Sequence, residues 1–168
     1  MGLFSSLKFE SLKELLEHEL KDLYDAEQRL TDVLPKLAQK ATNSNLKQAF
    51  KHHLGETEKH VERLESIFEQ LGIERDRETC DAMVGLIKEG SKVLDAEGDG
   101  NVLDAALIAA AQRAEHYEMA AYGTARSFAR QLGNEYVAEL LQQTLDEEKA
   151  ADEKLTEIAE AAVNPAAA

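Results

Sequence analysis

The sequence predicts an all-α protein built as an antiparallel four-helix bundle. Three observations carry that prediction. Ala, Leu, Glu, Lys and Gln, all strong helix formers, dominate a 168-residue chain with two prolines and no tryptophan. Apolar residues recur with the helical period of about 3.6 through four long segments. The connections between those segments run short, long, short. The length suits one domain, residues 1–168, with room for a sizeable core.

The first segment spans about 11–41, with the stripe Leu12, Leu16, Leu20, Leu23, Leu30, Leu34, Leu37 and Ala41. Pro35 lies inside it and predicts a kink or short break, because proline removes a backbone donor. Thr42 to Asn45, "TNSN", reads as a turn that supplies an N-cap. The second helix spans about 45–71 on Leu46, Ala49, Phe50, Leu64, Ile67, Phe68 and Leu71, and Gly72 is placed to end it. A long connection follows, with a short helix at about 79–96 and the breaker "EGDGN". The third long helix spans about 102–132 and stops at Gly133. The fourth spans about 134–162, and the tail "NPAAA" is expected to fray.

Short connections make helices one and two antiparallel neighbours, and likewise three and four. The middle connection is long enough to travel the length of the bundle. Two α-hairpins joined by one long crossover form the ferritin-like arrangement rather than a simple up-down-up-down bundle.

Each long helix interrupts its apolar stripe with polar ligand types near its midpoint. In the first, Glu27 falls between Leu23 and Leu30. In the second, His53, Glu56 and His60 fall between Ala49 and Leu64. The third carries Glu115 and Glu118 ahead of Tyr122, and the fourth carries Glu148 and Asp152 ahead of Leu155. Counting from the turns tests whether these acids share a level. Glu27 lies 14 residues before Ala41 and Glu56 lies 14 after Thr42; Glu118 lies 15 before Gly133 and Glu148 lies 15 after it. In antiparallel hairpins both pairs are level.

Buried carboxylates at one depth repel each other and lose hydration. Bound cations relieve both penalties. Oxygen donors with imidazole suit iron, or alternatively manganese, and the donor count allows two ions bridged by shared carboxylates. Related di-metal bundles use Glu-x-x-His on two helices. Here the spacing departs from that rule: Lys59 stands three residues after Glu56 and His60 four, while Ala151 stands three after Glu148 and Asp152 four. For any one acid in so acidic a chain, a solvated side chain or a helical ion pair is the ordinary reading. Coincidence in depth on four helices favours a site.

The stretches "LKDLYDAEQRLTDVLPKLA", "AFKHHLGETEKHVERLE", "DAALIAAAQRAEHYEMAAYGTA" and "QTLDEEKAADEKL" together resemble the YciE/YciF-type bacterial ferritin-like family, over roughly residues 11–159. The resemblance implies a stress-associated homodimer with a di-metal centre between its helices. Carried over by position, the implied ligands are Glu27, Glu56, Glu115 or Glu118, Glu148 and Asp152. Family members often carry glutamine at the position of His60, which leaves its ligand role open. His53 fits as a ligand or as a group behind the ligands. Tyr122, one turn from Glu118, is a core aromatic or a group supporting the centre. The expected small-molecule reactant is oxygen or peroxide, in a di-iron centre or a manganese catalase-like one, with a metal-free dimeric scaffold as the reading outside the metal class.

Other side chains have plainer expectations. His52 and His116 belong at the surface or an interface, Asp146 and Glu147 face solvent, and Tyr24 and Tyr117 are core aromatics. The lone cysteine, Cys80, is a small buried hydrophobe in the crossover, and a single thiol fits a reducing cytoplasm. A formal net charge of -14 argues against nucleic acid and anionic membranes as partners. No apolar run reaches membrane-spanning length, and "MGLFSSLKFE" lacks a signal peptide's apolar core. Gly2 and Ser6 match the loose pattern for N-myristoylation.

Overall fold

The computed structural model describes residues 7–76 and 78–168. Four long helices, α1 (Leu12–Lys40), α2 (Ser44–Leu71), α4 (Gly100–Gln131) and α5 (Glu135–Ile158), form the bundle, and α3 (Asp81–Leu94) lies in the crossover. The α1 helix packs on α2 and α4, and α5 packs on α4 and α2. A simple up-down-up-down bundle would instead pair α1 with α5 and α2 with α4. The observed ring therefore establishes the ferritin-like crossover topology. The α3 helix covers the face formed by α1 and α4. Among the described residues, no helix is long and apolar enough to cross a membrane.

Local chemistry sets the helix ends. Ser11 caps α1 by accepting from the Glu14 N–H, and Asn43 caps α2 by accepting from Asn45 and Leu46. At Gly72 the backbone turns left-handed, φ 66°, a conformation that glycine adopts without steric cost. Asp104 of α4 fastens the α1–α2 turn. One carboxylate oxygen accepts from Thr42 N, and the other accepts from Thr42 Oγ1 and Asn43 N, at 2.7–2.8 Å. This buried acid is fully engaged by the donors that a helix start leaves unpaired.

Several expectations need correction. The α1 helix runs unbroken from Leu12 to Lys40 with Pro35 inside it. The tail is ordered instead of frayed: a π-helical turn at Ala159–Val163 leads into α6 (Asn164–Ala167), and Asn101 Nδ2 donates to Ala166 O. Cys80 is buried as expected but also caps α3, its sulfur accepting from Met83 N, while its own N–H donates to Asp25 Oδ2. The thiol lies 3.1 Å from the Tyr117 hydroxyl, which donates to Asp22. Burial pushes the thiol up to about 11, so it stays protonated. Gly2 and Ser6 of the acylation pattern lie outside the described residues.

The apolar interior falls into two clusters. One contains Leu30, Leu34, Leu37, Phe50, Met83, Leu107, Ile108 and Leu155. The other contains Leu16, Leu20, Leu23, Leu64, Ile67, Phe68, Ala125, Val137 and Leu141. Along each long helix, the polar interruption identified in the sequence lies between the residues of these clusters. The bundle therefore carries a polar waist between two apolar ends.

Candidate metal centre

Helical phase decides which waist side chains point inward. Residues His53 and His60 are seven apart, so at about 100° per residue they differ in direction by only about 20°. Both are buried, as are Glu27, Glu115, Glu118, Glu148 and Tyr122. Glu56, about 60° off the His53 direction, sits at the edge with its side chain 21% exposed.

Among the described residues, two groups of three ligand atoms form, each with all atoms within 4.8 Å of one another. Glu27, His60 and Glu148 make one, and His53, Glu115 and Glu148 the other. Glu148 belongs to both. In the first, His60 Nδ1 lies 3.3 Å from Glu27 Oε1 and 3.0 Å from Glu148 Oε1. In the second, His53 Nε2 lies 3.2 Å from Glu115 Oε1 and 3.6 Å from Glu148 Oε2. The α1–α2 register thus sets His60, not Glu56, against Glu27. Counting residues from the turn gave the depth to within one helical turn but could not give the rotation.

Glu115 and Glu118 are both buried, 3% and 0% exposed, although the sequence left open which one is central. Three residues correspond to about 300°, so both reach the waist from one side of α4. Asp152 joins neither group. Its carboxylate accepts from Gln112 Nε2 at 3.1 Å and faces His116 Nε2 at 3.2 Å. Its direction is about 40° from that of Glu148, toward the α4 surface. His52 and His116 are exposed, as expected.

The electrostatics are those of an acidic cluster stripped of water. Glu118 is raised well above the ordinary carboxylate range, first by burial and then by Glu148, Glu27 and Glu115. Burial pushes Glu148 up to about 8, against the pull of His60 and His53. Burial lowers the affinity of His60 for its proton, but Glu148 and Glu27 outweigh it and carry the imidazole to about 10. His53 is likewise raised: the carboxylates of Glu115, Glu56 and Glu148 overcome its burial.

Unpaired atoms mark what the site lacks. Both oxygens of Glu118 and of Glu148, Oε2 of Glu27, Oε2 of Glu115 and Nδ1 of His60 are buried without an aligned hydrogen-bond partner. Buried polar groups are ordinarily paired, and an unpaired one is costly. Here seven such atoms sit together on residues that converge on one layer. Oxygen and imidazole donors in this number fit one or two divalent first-row metal ions.

Groups behind the cluster hold it in place. His60 Nε2 lies 2.8 Å from Glu147 Oε2, and Glu147 also accepts from Arg63 at 2.8 and 3.2 Å. Burial raises Glu147, but Arg63 and His60 dominate and keep it below the ordinary carboxylate range. Sequence reading had placed Glu147 in solvent. The signal that could have found it is Arg63, which shares the His60 side of α2 at i+3. On the other side, the Tyr122 hydroxyl donates to Glu27 Oε1 at 2.5 Å, and its ring stands 6.4 Å from that of His60. A cleft of about 580 Å³ between α2 and α5 reaches the surface past His53, Glu56 and Glu115.

Two α-hairpins with a long crossover and a histidine–carboxylate waist define the ferritin-like class of helical bundle. Within that class the chain belongs to the family described as "Domain of unknown function (DUF892)", which matches residues 11–168. It is 45% identical over 154 residues to Protein YciF of Escherichia coli K12, covering 91% of this chain and 93% of that one. The crystal structure of the E. coli stress protein YciF superposes with a TM-score of 0.89, over 93% of this chain and 99% of that chain. A YcfI protein from Rhodopseudomonas palustris gives 0.87 at 44% identity, over 91% and 98%. A Xanthomonas campestris protein, 22% identical with a TM-score of 0.72 over 90% and 92%, shares the fold.

Proposed function

We propose that the waist holds two iron ions and that the protein uses them to consume an oxidant in stress protection. The carrying observation is the group of seven buried ligand atoms in one layer that no hydrogen bond satisfies, although His60 Nδ1 and both Glu148 oxygens stand in His–carboxylate contacts. Glu27, His60 and Glu148 would hold one ion, and His53, Glu115 and Glu148 the other, with Glu148 shared. Glu118, fully buried and without a hydrogen-bond partner at either oxygen, would supply a further carboxylate to the ions. Glu147 and Arg63 keep His60 turned so that Nδ1 faces the ion. Tyr122 fixes one oxygen of Glu27, which leaves the other to the metal. Two ferrous ions there would supply one electron each, and dioxygen with two protons would leave as hydrogen peroxide.

The assignment to stress protection follows the description of the E. coli relative as a stress protein. The test is an anaerobic titration with ferrous iron, followed by elemental analysis, on the wild type and on Glu148→Gln. Two ions per chain in the wild type and none retained in the variant are expected. No uptake by the wild type, or full occupancy in the variant, would overturn the reading. Parallel loading with manganese, and peroxide disproportionation by that form alone, would instead select the manganese chemistry.

A further inference from the structure

The candidate centre has two approaches, on opposite faces of the bundle, and they differ in character. On the α2–α5 face the cleft opens to solvent and is bordered by Gln48, His52, Glu56 and Lys154 as well as by Phe50, Leu155 and Ile158. On the α1–α4 face, beneath α3, a cavity of about 40 Å³ ends at His53 and Glu115. Its walls are apolar: Leu34 from α1, Met83 and Ile87 from α3, Ala111 and Ala114 from α4. The polar side chains that line it are the two at its inner end.

The size and chemistry of this cavity select what can enter. Its volume exceeds the ~10–15 Å³ that a water molecule needs, but a water also needs two to four polar partners, and away from the His53–Glu115 end the walls offer none. Hydrogen peroxide, with two hydroxyl groups, meets the same obstacle on entry. Dioxygen needs no hydrogen bonds and is small enough. At the inner end Glu115 Oε2 is buried and unpaired, and His53 is 6% exposed, so a guest that crosses the cavity meets a ligand pair directly. Small residues keep the space open. A Cβ added at Gly90 of α3, which lines the cavity, would lie 3.7 Å from Ala110 Cβ, an ordinary contact, so a side chain can start there without a clash at its first atom.

We propose that the cavity beneath α3 is a dioxygen site serving the His53–Glu115 side of the centre, and that dioxygen rather than peroxide is the oxidant. Cations and water use the α2–α5 cleft. The inference rests on the di-iron reading for its chemical purpose, but the cavity's affinity for an apolar gas can be measured without iron.

The first arm of the test pressurises metal-free crystals with xenon. A xenon atom is expected beneath α3 in the wild type and none in Ala111→Leu or Gly90→Leu; an empty cavity in the wild type overturns the proposal whether or not iron binds. The second arm loads each protein with ferrous iron and mixes it rapidly with dioxygen or with hydrogen peroxide. Both variants should slow oxidation by dioxygen several-fold while iron stoichiometry and oxidation by peroxide stay unchanged. Two variants on different helices guard against a folding defect in one. Equal slowing with both oxidants, or no slowing with dioxygen, overturns the proposal. Failure of the wild type to take up iron would defeat the di-iron reading alone, and the xenon result would still decide the cavity.

Discussion

His60 Nδ1 stands 3.0 Å from Glu148 Oε1 without hydrogen-bond alignment, while the other ring nitrogen is held 2.8 Å from Glu147. A histidine with one nitrogen anchored to a carboxylate and the other converging unpaired on acids is oriented for a metal ion. Anchoring of this kind is typically worth 10–100-fold in metal affinity. Glu147→Ala should therefore weaken ferrous binding by about that factor while two ions still bind at saturation. Calorimetric titration reads both numbers; unchanged affinity would show that Glu147 does not position His60.

Glu118 illustrates a site that costs stability. It is fully buried, neither of its oxygens has a hydrogen-bond partner, and burial, with Glu148, Glu27 and Glu115 beside it, holds its proton on. Replacing such a group by an apolar side chain of similar volume removes the desolvation cost. In metal-free protein, Glu118→Met should raise the midpoint of thermal unfolding by about 2–6 °C, equivalent to about 1–2 kcal/mol for a chain of this size. The same variant should gain less from added iron than the wild type does. A metal-free midpoint lower than that of the wild type would mean that Glu118 stabilises the fold.

The raised waist groups fix the pH response of the metal-free protein. Glu148 goes from its ordinary 4.5 to about 8 by burial, and His60 from 6.5 to about 10 because Glu148 and Glu27 overcome its burial. Each binds its proton more tightly in the folded chain than in the unfolded one. That stabilisation is complete below the unfolded value and is lost as pH rises through the folded one. Metal-free stability should therefore fall across about pH 4.5 to 10, with Glu148 acting between 4.5 and about 8 and His60 between 6.5 and about 10. Metal binding needs the ligands deprotonated, so the increment from added metal should grow over the same range. Thermal melts with chelator and with metal measure both slopes; a metal-free protein that gains stability toward alkaline pH would contradict the assignment.

Outside the waist, Asp104 ties the start of α4 to the α1–α2 turn through three accepted hydrogen bonds. Asp104→Ala removes them and takes the carboxylate away from the backbone donors of exposed Thr42 and half-buried Asn43. A loss of about 2–4 kcal/mol is expected, since bonds to a charged acceptor are worth about 1.5–3 kcal/mol each before compensation by water. Chemical denaturation checks it, and a loss below about 1 kcal/mol would mean that water replaces the carboxylate.

How much of this was legible in the chain depends on the kind of information. Leu16, Leu20 and Leu23 in α1, or Leu64, Ile67 and Phe68 in α2, announce their faces by spacing, and the long middle connection announces the crossover. Depth was also readable, because residue counts from Ala41 and Gly133 translate directly into rise along an axis. Rotation was not. Whether Glu56 or His60 meets Glu27 turns on tens of degrees, set by packing against neighbouring helices. Glu147 was hidden for the same reason: beside Asp146 in "LDEEK" it looks like part of a solvated charge run, and only its placement opposite Arg63 and His60 gives it work. Pro35 does not break α1, because the continuation of the helix past it is decided by tertiary packing, which local propensity does not contain.

Rotation also yields a prediction that separates residues of identical chemistry. Glu115 is buried against His53, Glu56 lies at the cleft mouth with His52 and His53, and Asp152 is held by Gln112 and His116. Ligand atoms must converge within bonding reach of one point, so only the first belongs to a three-atom group. Glu115→Gln should remove one of two ferrous ions per chain. Glu56→Gln should keep both ions but slow their entry, because it removes a carboxylate from the mouth of the polar approach. Asp152→Asn should change neither number nor rate. Anaerobic titration counts the ions and rapid mixing times their arrival. Loss of an ion in Glu56→Gln or Asp152→Asn would move that residue into the ligand set and show that the waist helices rotate when metal binds.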